Sequence, residues 1–117
     1  MPHYRGDIIE VFFSELPYQP TDSKTHPAVI ISNDDVYQQD GIYICVMMTH
    51  SPQIDKFTFS ITDDLLVKPG DGKFSQARCH IVTYFTDDNI LVNKNRNSLK
   101  SKSVDRLVSQ IHDNSLI

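Results

Sequence analysis

Apolar and polar positions follow the short period of β-structure along most of this chain. The segment Lys56–Ile61 alternates strictly, with phenylalanine or isoleucine at every second position, which indicates a half-buried strand. Other runs are rich in β-branched and aromatic residues and short enough to be buried strands. These runs are Asp7–Phe13, Pro27–Ser32, Ile42–Met48 and Gln76–Phe85, with Ile90–Val92 as a candidate final edge strand.

The pattern changes near the end of the chain, where apolar residues recur at positions i, i+3, i+4 and i+7. These residues are Val104, Leu107, Val108 and Ile111. Such spacing forms one face of an α-helix, and Ser101 or Ser103 can cap its start. Because several strands precede a single helix and do not alternate with helices, a doubly wound parallel sheet is disfavoured. The pattern predicts a mainly β fold, a small twisted antiparallel barrel with a C-terminal helix packed on it.

Turn-forming residues separate these elements. Ser14–Lys24 contains two prolines and is predicted to be a long loop. Asn33, Asp34 and Asp35 interrupt the chain after the second strand, and Pro69–Gly72 is a strong turn signal. We find no internal repeat, so residues 1–117 are predicted to form a single domain, with the barrel at about 5–93 and the helix at about 101–114.

Composition limits the classes of protein to consider. No apolar run approaches the roughly 20 residues needed to span a bilayer, and the polar N-terminus lacks the apolar core of a signal peptide. We therefore expect a cytoplasmic protein with no membrane partner. Cys45 and Cys79 lie in apolar runs without a CxxC spacing, so we expect reduced core cysteines.

Charge is distributed unevenly. Residues 1–93 contain 6 Lys/Arg and 13 Asp/Glu, whereas residues 94–117 contain 5 Lys/Arg and 2 Asp/Glu. The basic residues of the second part are Lys94, Arg96, Lys100, Lys102 and Arg106. A basic cluster on an acidic body can contact nucleic-acid phosphates, but on charge alone a solvated loop and helix start is the favoured explanation.

Four segments, in this order, resemble the MazF/PemK/Kid family of toxins from bacterial toxin–antitoxin pairs. They are Arg5–Val11, His26–Ser32, Ile44–Thr49 and Gly72–Arg78, followed by the closing helix. The resemblance covers nearly the whole chain and implies an SH3-like antiparallel barrel, usually a homodimer. It also implies a growth inhibitor that cuts single-stranded RNA without a metal or other cofactor, leaving 2′,3′-cyclic phosphate and 5′-OH ends. The implied protein partner is a cognate antitoxin whose disordered tail covers the RNA-binding groove.

The resemblance also suggests catalytic residues. Relatives commonly have an arginine directly before the Pro-Ala-Val strand, and His26 stands there in this chain. Histidine can move a proton near neutral pH but is a poor replacement for a permanent phosphate clamp. Thr49 matches a second catalytic position, where a hydroxyl can donate a hydrogen bond to phosphate. His26 and Thr49 are therefore the predicted catalytic residues.

Further residues are candidates for substrate binding. His50 and Ser51 follow Thr49, and His50 is a second possible acid or base. Where several relatives have an Asp-Gln pair, this chain has Ser75 and Gln76. The remaining candidates, Lys73 and Arg78, retain positive charges that can hold phosphates.

The substitutions at His26 and Ser75 leave alternatives open. One explanation is that catalysis has shifted to a histidine mechanism that uses His26, His50 or His80. The other is that the protein has lost cleavage but still binds an antitoxin or nucleic acid. An unrelated small barrel is a third interpretation. The three histidines are widely separated and show no HxH or HExxH spacing, so no metal site is predicted.

Overall fold

The computed structural model describes residues 3–13, 25–91 and 97–117. Its strands are β1 (Asp7–Phe12), β2 (Thr25–Ile30), β3 (Ile42–Thr49), β4 (Thr58–Ser60), β5 (Gln76–Thr86) and β6 (Asn97–Ser98). Its α-helices are α1 (Asp34–Asp40) and α2 (Ser101–Ile111). Short 3₁₀ turns follow β4 and β5, at Asp63–Leu65 and Asp87–Asn89, and a π-type turn, His112–Leu116, continues α2.

All six strands belong to one antiparallel sheet, in the order β4-β5-β3-β2-β1-β6. The long strand β5 carries a register irregularity opposite β3, between Val46 and Met48. Such irregularities increase the local twist and bend a sheet. Bridges between Val11 and Ile90 and between Leu66 and Leu99 draw outlying segments onto the curled sheet. The result is a half-barrel with a C-terminal helix, which confirms the predicted fold class.

Apolar residues fill both faces of the sheet. The helix-side core lies beneath α2 and contains Val29, Val46, Met48, Phe59, Ile61, Leu65, Leu66, Ala77, Cys79, Leu99, Val104, Leu107 and Ile111. The far-side core contains Ile9, Val11, Ala28, Ile30, Tyr43, Cys45, Met47, Phe85 and Ile90. The cysteines are free and buried, one in each core. None of the helices in the described part of the chain is long and apolar enough to cross a bilayer.

Two elements differ from the sequence prediction. Asn33 does not begin a simple turn but caps α1, because its side chain accepts a hydrogen bond from the Asp35 N–H. Ile90 forms only an isolated bridge to β1, whereas Val92 lies outside the described residues. The strand that pairs with the outer side of β1 is β6, which contributes two residues.

Of the predicted basic cluster, Lys94 and Arg96 lie outside the described residues, as does the whole of the predicted Ser14–Lys24 loop. Lys100, Lys102 and Arg106 are exposed at the start and along the outer face of α2.

Candidate functional site

Two predicted catalytic residues lie at the same end of neighbouring strands. His26 is the partner of Val11 in the β1–β2 ladder, and Thr49 is the partner of Gln76 in the β3–β5 ladder. The β2–β3 ladder ends with Ala28 opposite Met47, and both His26 and Thr49 lie two residues beyond that pair, at the same end of the two strands. Direct partners in antiparallel strands point to the same face. His26, Thr49 and Gln76 therefore lie on the far-side face of the sheet, and we call these three residues the polar row.

His26 is nearly excluded from solvent, with 5% of its surface exposed. Its Nε2 atom has no hydrogen-bond partner within residues 3–13, 25–91 and 97–117. Burial lowers the pKa of the imidazole below its ordinary value of 6.5, and the negative charge of Glu10 only partly opposes this effect. The ring is thus neutral at physiological pH, and a neutral imidazole can accept a proton.

Thr49 is also buried, and its hydroxyl oxygen accepts a hydrogen bond of 3.1 Å from the Ser51 N–H. This contact turns the chain at the end of β3. The Ser51 carbonyl in turn accepts a hydrogen bond of 2.9 Å from Gln76 Nε2. Ser51 therefore connects two members of the polar row through its backbone.

Gln76 and Arg78 are buried beneath the loop between β3 and β4. Gln76 Nε2 also donates to the Gln53 carbonyl, and Arg78 Nη1 donates to Gln76 Oε1 at 2.8 Å and to Thr58 Oγ1 at 3.0 Å. Arg78 Nη2 forms an ion pair of 2.8 Å with Asp55. Substrate binding by Gln76 and Arg78 stays a prediction, but in this structure their polar atoms hold the loop against β5.

The ion pair perturbs its carboxylate. The hydrogen bond from Arg78, assisted by the Phe57 N–H, lowers the pKa of Asp55 from 3.8 to about 2. Sequence analysis did not identify Asp55 or Thr58. A signal existed, because Gln76 and Arg78 alternate with the apolar residues Ala77 and Cys79, so that both polar side chains share one face and need polar partners there.

Three other predicted residues lie on the opposite face. His50, Lys73 and Ser75 line a groove of about 950 Å³ at the end of the helix-side core. Its apolar lining includes Met48, Ile61 and Leu66, and Lys68, Asp63 and Asp71 add charged groups. His50 and Ser75 are the direct sequence neighbours of Thr49 and Gln76, and successive residues of a strand point to opposite faces. The structure thus divides the predicted site into the polar row and this groove.

The orientation of His50 is fixed by one contact. Its Nδ1 lies 2.8 Å from the carbonyl oxygen of Phe74. Since a carbonyl oxygen only accepts hydrogen bonds, Nδ1 carries a proton and Nε2 is the nitrogen left for a ligand.

The third histidine considered from the sequence, His80, stacks on Phe57 with ring centroids 4.2 Å apart and belongs to neither set. Within the described ranges, no group of three or more His, Cys, Asp or Glu side chains is arranged to hold a metal ion.

Several solved structures share this fold. An endoribonuclease in complex with its cognate antitoxin from Mycobacterial species has a TM-score of 0.66 at 11% identity, over 97% of this chain and 94% of that chain. MazE-MazF from Deinococcus radiodurans has a TM-score of 0.64 at 10% identity, over 95% and 92%. Mycobacterium tuberculosis toxin MazF-mt6 has a TM-score of 0.62 at 14% identity, over 94% and 95%. At these identities the likeness concerns the fold alone.

Sequence comparison identifies the family. No curated protein matches the chain in sequence. The sequence profile of the PemK-like, MazF-like toxins of type II toxin–antitoxin systems, however, matches residues 4–114 of the 117. This chain therefore belongs to the family of PemK-like, MazF-like toxins of type II toxin–antitoxin systems.

Proposed function

We propose that the toxin is a metal-independent endoribonuclease that cuts single-stranded RNA in the cytoplasm and leaves 2′,3′-cyclic phosphate and 5′-OH ends. Family membership supports this proposal, and so does the fold shared with proteins described as endoribonucleases. The observation that carries it is His26, a buried neutral base whose Nε2 has no hydrogen-bond partner among the described residues, at the same end of the sheet as Thr49.

His26 is the proposed general base. The ribose 2′-OH attacks the adjacent phosphorus while His26 Nε2 takes its proton, and the bond from phosphorus to the 5′-oxygen breaks. Thr49 donates its hydroxyl proton in a hydrogen bond to a non-bridging phosphate oxygen, which gains negative charge in the transition state. The lowered pKa of His26 suits this role, because it keeps the imidazole unprotonated at neutral pH.

The groove residues act on the neighbouring part of the RNA. The ammonium group of Lys73 binds a flanking phosphate, and Ser75 supplies a hydroxyl. A proton must also reach the departing 5′-oxygen. Because His50 lies on the face opposite His26, we assign that proton to solvent water, and we assign His50 Nε2, which the Nδ1 contact with the Phe74 carbonyl leaves toward the groove, to binding of the RNA.

The proposed protein partner is an antitoxin. The mycobacterial endoribonuclease was solved with its cognate antitoxin, and the Deinococcus radiodurans MazF was solved with MazE. We propose that a cognate antitoxin likewise binds this toxin and suppresses RNA cleavage.

The test is incubation of the purified toxin with a long single-stranded RNA in EDTA, followed by mapping of the cut sites and chemical analysis of the new ends. We expect discrete cuts with 5′-OH ends. His26→Ala and Thr49→Ala should each slow cleavage by roughly 10²-fold or more. His112→Ala is the matched control, because His112 is exposed beyond α2 and far from strand β2 in the sequence.

Other results would contradict this assignment. Cutting at the wild-type rate by both the His26 and Thr49 variants would remove those residues from the catalytic centre. Absence of cleavage across several unrelated RNAs, with binding of RNA or antitoxin retained, would identify a binding module that has lost nuclease activity.

A further inference from the structure

The hydroxyl group of Thr49 is oriented by the loop that joins β3 to β4, residues 50–57. Its oxygen accepts a hydrogen bond of 3.1 Å from the Ser51 N–H. Because a hydroxyl oxygen has two lone pairs and carries one hydrogen, this bond occupies one lone pair and leaves the O–H to donate elsewhere. The direction in which Thr49 can donate to a phosphate oxygen therefore depends on where the loop holds the Ser51 N–H.

Gln76 fixes the loop at Ser51. The side-chain Nε2 of Gln76 donates to the Ser51 carbonyl at 2.9 Å and to the Gln53 carbonyl at 2.6 Å. Gln76 is fully buried, whereas residues 52–56 of the loop are exposed. The position of this part of the loop is thus set by hydrogen bonds to strand β5 and not by burial of its own side chains.

Arg78 determines which way the Gln76 amide points. Its Nη1 donates to Gln76 Oε1 at 2.8 Å. A guanidinium has donors only, so the amide oxygen must face Arg78 and the amide nitrogen must face the two loop carbonyls. Removal of this donor allows the amide to rotate, and a rotated amide places its oxygen against the loop carbonyls and loses the contact with Ser51.

Asp55 orients Arg78 in turn. Only 1% of Arg78 is exposed, and a buried guanidinium is costly unless a carboxylate pairs with it. Asp55 Oδ2 lies 2.8 Å from Arg78 Nη2. The same carboxylate accepts hydrogen bonds from the Phe57 N–H at 2.9 Å and from Gln53 Nε2 at 3.0 Å. The carboxylate is therefore attached to both the loop and strand β5.

We propose that Asp55 and Arg78 are positioning residues for RNA cleavage that orient the Thr49 hydroxyl. They act through one chain of hydrogen bonds, which runs from Asp55 to Thr49 by way of Arg78, Gln76 and the Ser51 backbone. This inference rests on the proposed function, because Thr49 is a proposed catalytic residue.

Burial and charge favour positioning over direct contact with RNA. Arg78 lies beneath the loop and is almost completely buried, so a phosphate can reach it only after the loop is displaced. Asp55 carries a negative charge and repels phosphates. An effect of Asp55 on cleavage must therefore be transmitted by the groups that its carboxylate contacts, and loss of its charge should by itself strengthen RNA binding.

The test is the steady-state cleavage, in EDTA, of a short single-stranded RNA that contains one mapped cut site. Asp55→Ala should lower kcat roughly tenfold, because the Thr49 hydroxyl is no longer held in its productive direction, and should leave KM equal or lower. Arg78→Met should also lower kcat. Asp40→Ala is the matched control, because it removes an equal charge from an exposed site next to the start of β3, whereas Thr49 ends that strand. It should cut at the wild-type rate.

A double-mutant cycle separates positioning from a general loss of folded protein. Once Thr49→Ala has removed the hydroxyl, adding Asp55→Ala should change kcat by less than about twofold. A further loss of roughly tenfold in the double variant would overturn the proposal, because it would show that Asp55 acts independently of Thr49. A raised KM with unchanged kcat in Arg78→Met would also overturn it and would assign Arg78 to phosphate binding.

A measurement without RNA keeps the proposal testable if the variants lose activity for other reasons. The Ser51 N–H, which donates to Thr49, should exchange with solvent deuterium faster in Asp55→Ala than in the wild type, and at the wild-type rate in Asp40→Ala. Unchanged exchange in Asp55→Ala would overturn the proposal. A wild type that cuts no RNA would instead contradict the proposed function, and the Ser51 exchange rate would then decide whether Asp55 positions Thr49.

Discussion

His26 places an ionisable group in an environment that disfavours its charged form. In the unfolded chain a histidine titrates near 6.5, whereas burial lowers the pKa of His26 in the folded state. Below pH 6.5 the unfolded state therefore binds more protons than the folded state. By linkage, the stability of the folded state falls as pH decreases through 6.5 and continues to fall until the folded pKa is passed.

This linkage predicts the behaviour of His26→Gln. The variant should lose less stability than the wild type between pH 7 and pH 5, measured as the free energy of unfolding in urea at each pH. Some dependence should remain, because burial also lowers the pKa of His80. His112→Gln is the comparison variant, because His112 is exposed beyond α2. A wild-type slope in His26→Gln would show that His26 titrates normally in the folded protein.

A second prediction at the scale of a single residue concerns Gln76, at the other end of the polar row. Its amide makes hydrogen bonds to two backbone carbonyls and one guanidinium, all at buried or partly buried positions. Gln76→Met removes all three bonds and leaves buried polar groups unpaired, so we expect a loss of roughly 1–3 kcal/mol in the free energy of unfolding. Gln39→Met, at an exposed position of α1, should change it by less than about 0.5 kcal/mol. Equal effects in the two variants would contradict the proposed network.

At the scale of elements, one ion pair joins the loop after β3 to strand β5. The hydrogen bond from Arg78 lowers the pKa of Asp55 to about 2, below its ordinary 3.8. A lowered carboxyl pKa adds stability above pH 3.8, and that contribution is lost as pH falls toward 2.

Asp55→Asn should therefore be less stable than the wild type at pH 7, and the difference should shrink as pH falls from 4 to 2. The measurement is the midpoint of thermal unfolding at each pH. Asp40→Asn, at an exposed site at the end of α1, is the control and should follow the wild type across this range. A constant difference between Asp55→Asn and wild type would show that the carboxylate charge is not what holds the loop.

The loop after β3 shows which features sequence patterns predict and which they do not. Alternation in Lys56–Ile61 and the i, i+3 spacing in α2 predict elements because each depends on neighbours in the sequence. The pair Asp55 and Arg78 joins residues 23 positions apart, and no local period encodes such a contact. α1 was missed because it is only seven residues long and has no buried side chain, so it lacks the apolar stripe by which helices are recognised.

The same distinction between local patterns and long-range contacts applies to the candidate site. Family resemblance identified His26, Thr49 and their neighbours as candidates, but their positions depend on strand register. Thr49 and His50 are adjacent in sequence and lie on opposite faces, which follows from strand periodicity once the end of β3 is known. Burial of Gln76 and Arg78 depends on the loop that folds over them, and the apolar pattern of the sequence does not determine that loop.

At the scale of the whole molecule, three parts of the fold meet at Gly6. They are the sheet, the residues that join β6 to α2, and α2 itself. The Gly6 N–H donates to the Ile30 carbonyl, and the Gly6 carbonyl accepts from the Leu99 N–H just before α2. Its φ of +96° is one that residues with a Cβ rarely adopt. A Cβ there would also lie 3.0 Å from the Leu99 carbonyl oxygen and 3.1 Å from Val104 Cγ2.

Gly6→Ala should accordingly destabilise the fold by more than a backbone penalty alone. Gly41→Ala supplies the comparison, because Gly41 has a φ of +69° and no atom within 4 Å of the added Cβ, so its cost is roughly 1 kcal/mol of backbone strain. We expect Gly6→Ala to exceed this cost by about 1 kcal/mol or more, since Leu99 contributes backbone that cannot move without displacing α2. Urea unfolding of both variants measures the difference. Equal losses in the two variants would mean that the contact between the sheet and α2 can relax freely, and that the half-barrel is closed less tightly than its geometry indicates.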